Sequence, residues 1–127
     1  MDIRNGNLRS MQHANTEMRV IATSKIAQKG FVPFHVDMAE PGGTIGRCAG
    51  NTLVLPAEEG DICRLQAVMK VVGDDCYLLN LSGMTDVRVN GHRLQPMRQI
   101  RLCSGDELVI GSYILNVLGA AEATVLR

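Results

Sequence analysis

Short apolar runs, broken again and again by turn signals, are what most limits the fold of this chain. The runs lie at 19–22, 31–36, 52–55, 67–72, 76–81, 87–89, 92–94, 107–110 and 113–117. Gly73-Asp74-Asp75 marks a hairpin between the fourth and fifth runs. Asn90-Gly91 marks a tighter one after 87–89, because a two-residue type I′ turn needs positive φ at both central positions. Pro33 assigns the 31–36 run to a sheet edge, since proline has no N–H to give a ladder. Turn signals recur roughly every 8–12 residues, the punctuation of an antiparallel sandwich. No stretch of about 11 residues carries apolar positions at helical spacing. The expectation is an all-β protein, an antiparallel β-sandwich of about 10–11 strands. Its body spans 18–119. Residues 1–17 are polar and without period and read as a flexible N-terminal tail; 120–127 reads as a C-terminal tail or the start of a linker.

Charge and residue usage narrow the function. The chain has 127 residues, enough for one domain around one core. Lys+Arg and Asp+Glu are 13 each, a formal net charge of zero. General nucleic-acid binding needs an excess of basic charge, so a nucleic-acid partner is not expected. Two Tyr, two Phe and no Trp leave nothing from which to build a base-stacking platform. No apolar run approaches the roughly 20 residues that cross a bilayer. The N-terminus, Met1-Asp2-Ile3-Arg4-Asn5-Gly6-Asn7, lacks the apolar core of a signal peptide. The expected location is cytoplasmic, without membrane insertion. Cys48, Cys63, Cys76 and Cys103 form no Cys-x-x-Cys pair and have no His at ligand spacing, so reduced thiols and no zinc site are expected. Cys76 reads as a small core hydrophobe. There is no nucleophile–base pair, paired-carboxylate set or metal set, and therefore no enzyme or cofactor is expected.

Four segments carry more specific information. They are Pro41-Gly42-Gly43-Thr44-Ile45-Gly46-Arg47, Ile62-Cys63-Arg64-Leu65-Gln66-Ala67, Val89-Asn90-Gly91 and Gly105-Asp106-Glu107-Leu108-Val109-Ile110-Gly111. The first is not a nucleotide loop: it lacks the Lys-Ser/Thr ending, and no helical pattern follows. Gly43, Gly46, Gly91 and Gly111 read as turn residues at positive φ. In order and spacing, from about residue 44 to 117, these segments resemble a forkhead-associated (FHA) domain, a phosphothreonine-binding β-sandwich. The resemblance implies a ligand site on loops at one end. In that family an Arg of the Gly-Arg motif and a Ser of the Ser-Arg-x-His motif contact the phosphate. An Asn in a later loop holds the peptide backbone, and the Thr before it also reaches the phosphate.

Position by position, Arg47 matches the Gly-Arg arginine and Arg64 the arginine after the Ser. Cys63 stands in place of that Ser, and a thiol is a weak donor. Gln66 stands in place of the largely structural His. Aligned on Val89-Asn90-Gly91, Met84 replaces the Thr and Thr85 the peptide-holding Asn, while Asp86 brings a negative charge toward the anion site. Gly46, Asn90 and Gly91 are structural turns. A lost hydrogen bond to a charged group costs ~1.5–3 kcal/mol. Losing two or three of them weakens phosphopeptide binding by ~10²–10⁵-fold. Plainer readings stand beside these: Arg47 as a surface arginine bonded to loop carbonyls, and Arg64 as an exposed strand-end charge. The wording of the motifs, with Leu53-Val54-Leu55-Pro56, Gln66-Ala67 and Gly111-Ser112-Tyr113-Ile114-Leu115, is similar to the N-terminal FHA domain of bacterial type VI secretion accessory proteins. The implied function is a non-enzymatic protein–protein interaction module that assembles or regulates such a system. Its partner is a protein or peptide, a secretion-system component or a Ser/Thr kinase, with weakened or absent phosphothreonine recognition. The alternatives are a kinase-coupled phosphothreonine reader and an FHA-like cytoplasmic domain of a type III secretion ring protein.

Overall fold

The computed structural model describes residues 17–24, 30–58 and 60–119. The tails expected at 1–17 and 120–127 lie outside them, except for Glu17, which begins the first strand. Eleven strands follow in chain order: β1 (Glu17–Ser24), β2 (Phe34–Ala39), β3 (Gly42–Gly46), β4 (Leu53–Val54), β5 (Ala67–Val72), β6 (Asp75–Asn80), β7 (Val87–Val89), β8 (His92–Arg93), β9 (Gln99–Leu102), β10 (Glu107–Ile110) and β11 (Tyr113–Gly119). Among the described residues there is no helix. The strands form two sheets, β2-β1-β11-β10-β7-β8 and β4-β3-β5-β6-β9.

The core follows from the two-residue period of a strand, which sends alternate side chains to one face. Met18, Val20 and Ala22 of β1 point inward, beside Tyr113, Leu115 and Val117 of β11 and Leu108 and Ile110 of β10. The second sheet answers with Ile45, Leu53, Ala67, Met69, Val71, Cys76, Leu78 and Leu102. The register keeps these rows opposed: Val20 pairs with Val117, and Leu108 with both Leu115 and Val89. Phe31, Phe34 and Tyr113 pack together with ring centroids 6.2–6.4 Å apart.

The sandwich and its strand number agree with expectation, and three details differ. Two strands, β3 and β9, arise where no apolar run marks them. The 31–36 run becomes strand only from Phe34, leaving Pro33 outside the ladder, and β2 is indeed an edge. The β3–β4 pair is parallel, with Ile45 opposite Leu53 and Gly46 opposite Val54. Its cause is the loop at 47–52. That loop leaves the sheet, turns through an Asn51 N–H to Cys48 carbonyl bond of 3.1 Å, and re-enters in the same direction.

The glycines divide into two kinds. Asn90 and Gly91 have φ of 50° and 84°, the two positive values that a type I′ hairpin requires. Gly46, expected as a turn residue, instead ends β3 and is not at positive φ, and neither is Gly43. A Cβ on Gly46 would lie 2.2 Å from the Arg64 carbonyl oxygen, and one on Gly43 would lie 2.5 Å from Thr52 Oγ1. These two glycines are needed because other chain passes close over them.

Candidate functional site

Three loops meet at one end of the sandwich: 47–52 after β3, 55–66 after β4, and 81–86 after β6. Backbone bonds sew the first two together. Arg47 N–H donates to the Cys63 carbonyl at 3.0 Å, and Cys48 N–H to the Arg64 carbonyl at 3.2 Å. The Asn51 side-chain amide bridges the same strands of loop, donating to the carbonyls of Cys48 (2.8 Å) and Arg64 (2.7 Å).

Gln66 ties the second loop to the third and to strands β3 and β6. It is fully buried, so each of its polar groups must find a partner inside the protein. Its backbone N–H reaches the Ile45 carbonyl and its own carbonyl accepts from Leu81. The side-chain oxygen accepts from Cys63 N–H at 3.1 Å. The side-chain NH₂ donates to Asn80 Oδ1 at 3.0 Å and to the Ser82 carbonyl at 3.2 Å. Asn80, also buried, ties onward to the Leu94 carbonyl at 2.9 Å. The amide thus takes over the structural post that the FHA resemblance assigns to a His.

Arg47, Gly60, Ile62, Cys63, Arg64, Met84 and Thr85 line a cleft of about 310 Å³ between these loops. All five residues singled out in the sequence, Arg47, Cys63, Arg64, Met84 and Thr85, are therefore brought together. Their chemistry differs. Arg47 is half-buried, and its Nε donates to the Ile62 carbonyl at 3.0 Å, as the loop-carbonyl reading supposes. Arg64 is exposed. Neither arginine has a carboxylate partner among the described residues, where the ion pairs are Arg19–Asp37, Arg88–Asp86, Arg93–Asp86 and Arg101–Asp75.

Cys63 donates its thiol to Ser82 Oγ at 3.3 Å and lies 4.0 Å from Thr85 Oγ1. Ser82 Oγ also accepts from Met84 N–H at 3.1 Å. Thr85 is buried, and its hydroxyl donates to the Asp61 carbonyl at 3.0 Å. That hydroxyl is spent inside the protein rather than offered to a peptide backbone. Met84 is the opposite case, 83% exposed at the cleft. Asp86 does not line the cleft, and Arg88 (2.7 Å) and Arg93 (3.8 Å) offset its charge. The repulsive charge expected of it at an anion site is not delivered there. Close to the arginines, the Gly50 backbone N–H and the Arg64 guanidinium hold the half-buried Cys48 thiol below its ordinary range.

Sequence reasoning missed Asn51, Asp61 and Ser82. Asp61 is anchored from behind, its Oδ2 accepting from Ser112 Oγ at 2.8 Å. The only signal was turn composition: Gly50-Asn51, Gly60-Asp61 and Ser82-Gly83 are pairs in which a short polar side chain bonds nearby backbone.

Comparison with solved structures matches this arrangement of sheets. Full-length yeast Pml1p superposes with a TM-score of 0.69 at 20% identity, covering 94% of this chain and 92% of that one. The fold is that of the FHA domains. An FHA domain studied for phosphothreonine-dependent interactions gives a TM-score of 0.60 at 19% identity, covering 79% of this chain and 95% of that one. EmbR of Mycobacterium tuberculosis, in complex with a low-affinity phosphopeptide, gives 0.65 at 19% identity over 91% of this chain and 28% of EmbR. No family model and no curated protein matches the sequence. Among the described residues, no helix is long and apolar enough to cross a membrane.

Proposed function

We propose that this chain is a non-enzymatic protein–protein interaction module with an FHA-type architecture, and that the loop cleft takes a peptide segment of its partner with weakened phosphothreonine recognition. One observation carries this reading. Arg47 and Arg64 share a cleft with Cys63 and Met84, while the Thr85 hydroxyl is committed to the Asp61 carbonyl and Ser82 is not among the lining residues. A phosphate dianion is held by a guanidinium fork together with neutral donors. Here the cations remain, but the neutral side-chain donors of the lining are a weak thiol and one committed hydroxyl. The FHA neighbours support a peptide partner, since EmbR is solved with a phosphopeptide. A role as an accessory component in assembly or regulation of a bacterial type VI secretion system rests on the wording of the motifs alone. So do secretion-system components or a Ser/Thr kinase as partners, whereas a cytoplasmic location rests on apolar runs too short to cross a bilayer.

Calorimetry of the chain against phosphothreonine peptides and their unphosphorylated twins tests the reading. The wild type is expected to prefer the phosphorylated form by less than about tenfold, or ~1.4 kcal/mol. Cys63→Ser with Met84→Thr should raise that preference. Thr85 is left in place, because replacing it would remove its bond to the carbonyl of the half-buried Asp61. A wild-type preference of about tenfold or more that disappears in Arg47→Ala would replace this reading with a kinase-coupled phosphothreonine reader, which two arginines without a carboxylate partner among the described residues favour.

A further inference from the structure

Folding buries Ile62 to 1% yet leaves Met84 83% exposed, and both side chains line the same cleft as two arginines. A large apolar side chain held at the mouth of a cleft gains from a partner that covers it. The polar balance points to the rest of that partner. Arg47 and Arg64 have no carboxylate among the described residues, although other arginines of this neutral chain are paired. The remaining wall offers few neutral donors, since the Thr85 hydroxyl is committed to the Asp61 carbonyl and Ser82 is not among the lining residues. A carboxylate is satisfied by one guanidinium fork, two N–H groups to two oxygens. A phosphate's remaining oxygens also call for neutral donors, and the side chains of this lining leave only the weak Cys63 thiol for them.

We infer that the occupant of the cleft, on the peptide-module reading above, is an unphosphorylated segment of a partner protein. In it, an Asp or Glu lies one or two residues from a bulky apolar side chain. The carboxylate takes the Arg47–Arg64 side and the apolar side chain covers Met84, Ile62 and the Cys63 carbon. In an extended segment, residues two apart project to the same side, so one strand of peptide presents both groups to one cleft.

The test uses the full chain and four peptide libraries with randomised flanks around a fixed central residue: Glu, Gln, Thr or phosphothreonine. The Glu library should be retained at least about tenfold over the Gln library, with Leu, Ile, Met or Phe enriched within two residues of the Glu. The phosphothreonine library should be retained no more than about threefold over the Glu library. Met84→Ser should abolish the apolar enrichment and keep the acidic selection, while Arg64→Gln should do the reverse. Both side chains are exposed, so both variants fold. Tenfold retention of phosphothreonine over Glu would overturn the inference and leave peptide binding standing. Glu retention without apolar enrichment would overturn it too. Retention of no library above background would remove the peptide-module reading itself.

Discussion

Gln66 shows what one side chain does for the site. Its amide bonds Cys63 of one loop, Ser82 of another and Asn80 at the end of β6, with no exposure to water. Gln66→Ala would deprive the Cys63 N–H and the Ser82 carbonyl of the amide and leave Asn80 Oδ1 with the Ser82 N–H alone. An unmet buried group costs about 1–3 kcal/mol, and partial rearrangement trims the sum. The expected loss is about 2–4 kcal/mol in urea denaturation, together with loss of peptide affinity. Gln66→His, which offers both a donor and an acceptor, should recover a large part of it. A loss below about 0.5 kcal/mol in Gln66→Ala would show that the loops do not depend on this amide. The placement of Arg47, Cys63, Arg64 and Gln66 was legible, because each sits in a short motif whose spacing fixes where it lands. The commitment of Thr85 to Asp61, and of Ser82 to Cys63, was not. Those bonds join residues 19 to 24 positions apart in the chain, and only the packing of loops brings them together.

Strands declared themselves wherever one face is buried. In β5 and β11, inward and outward residues alternate, and the letters show them as apolar runs interrupted only by the outward Lys70 and Asn116. β9 escaped because it is an edge strand with only Leu102 buried, so nothing apolar marks its period. β3 escaped because three of its five residues are glycine, a composition that reads as loop. Its glycines answer to close packing, which no local pattern records. The contrast between two of them is testable. At Gly91 a Cβ would meet nothing within 4 Å, and the penalty is confined to its left-handed φ of 84°, about 1–2 kcal/mol for an L-residue. At Gly46 the added carbon would sit 2.2 Å from the Arg64 carbonyl oxygen and 2.8 Å from Asn51 Nδ2, so β3 and the site loop must separate. Gly46→Ala is therefore expected to lose more than about 2 kcal/mol, with cleft binding abolished. Gly91→Ala should lose less and retain binding. The reverse order in chemical denaturation would mean that the glycine of β3 serves the turn geometry first assigned to it.

At the scale of the whole molecule, the sandwich is closed by β1 pairing with β11, so the two ends of the described chain share one sheet. Each layer carries an ionisable group that the fold keeps neutral. Burial pushes the Cys76 thiol, in β6 of the five-stranded sheet, up to about 11 from 9.0. Burial, and then the charge of Asp61, raise the Tyr113 hydroxyl in β11 of the other sheet, where it donates to the Pro56 carbonyl. Between the unfolded and folded pKa values the unfolded chain holds fewer protons than the native one, so stability must fall as pH rises. For Cys76 the contribution is intact below about pH 9 and drains away toward pH 11. Tyr113, starting from 10.0, extends the loss to higher pH. The urea midpoint of the intact chain is thus expected to begin falling near pH 9. Cys76→Ala should start lower at every pH, because it leaves a cavity, yet decline less steeply between pH 9 and 11. If the variant and the wild type decline in parallel through that window, Cys76 is not held neutral by the core. The sandwich would then be admitting water between its sheets at β6, the strand from which the Asn80–Gln66 bond reaches the site.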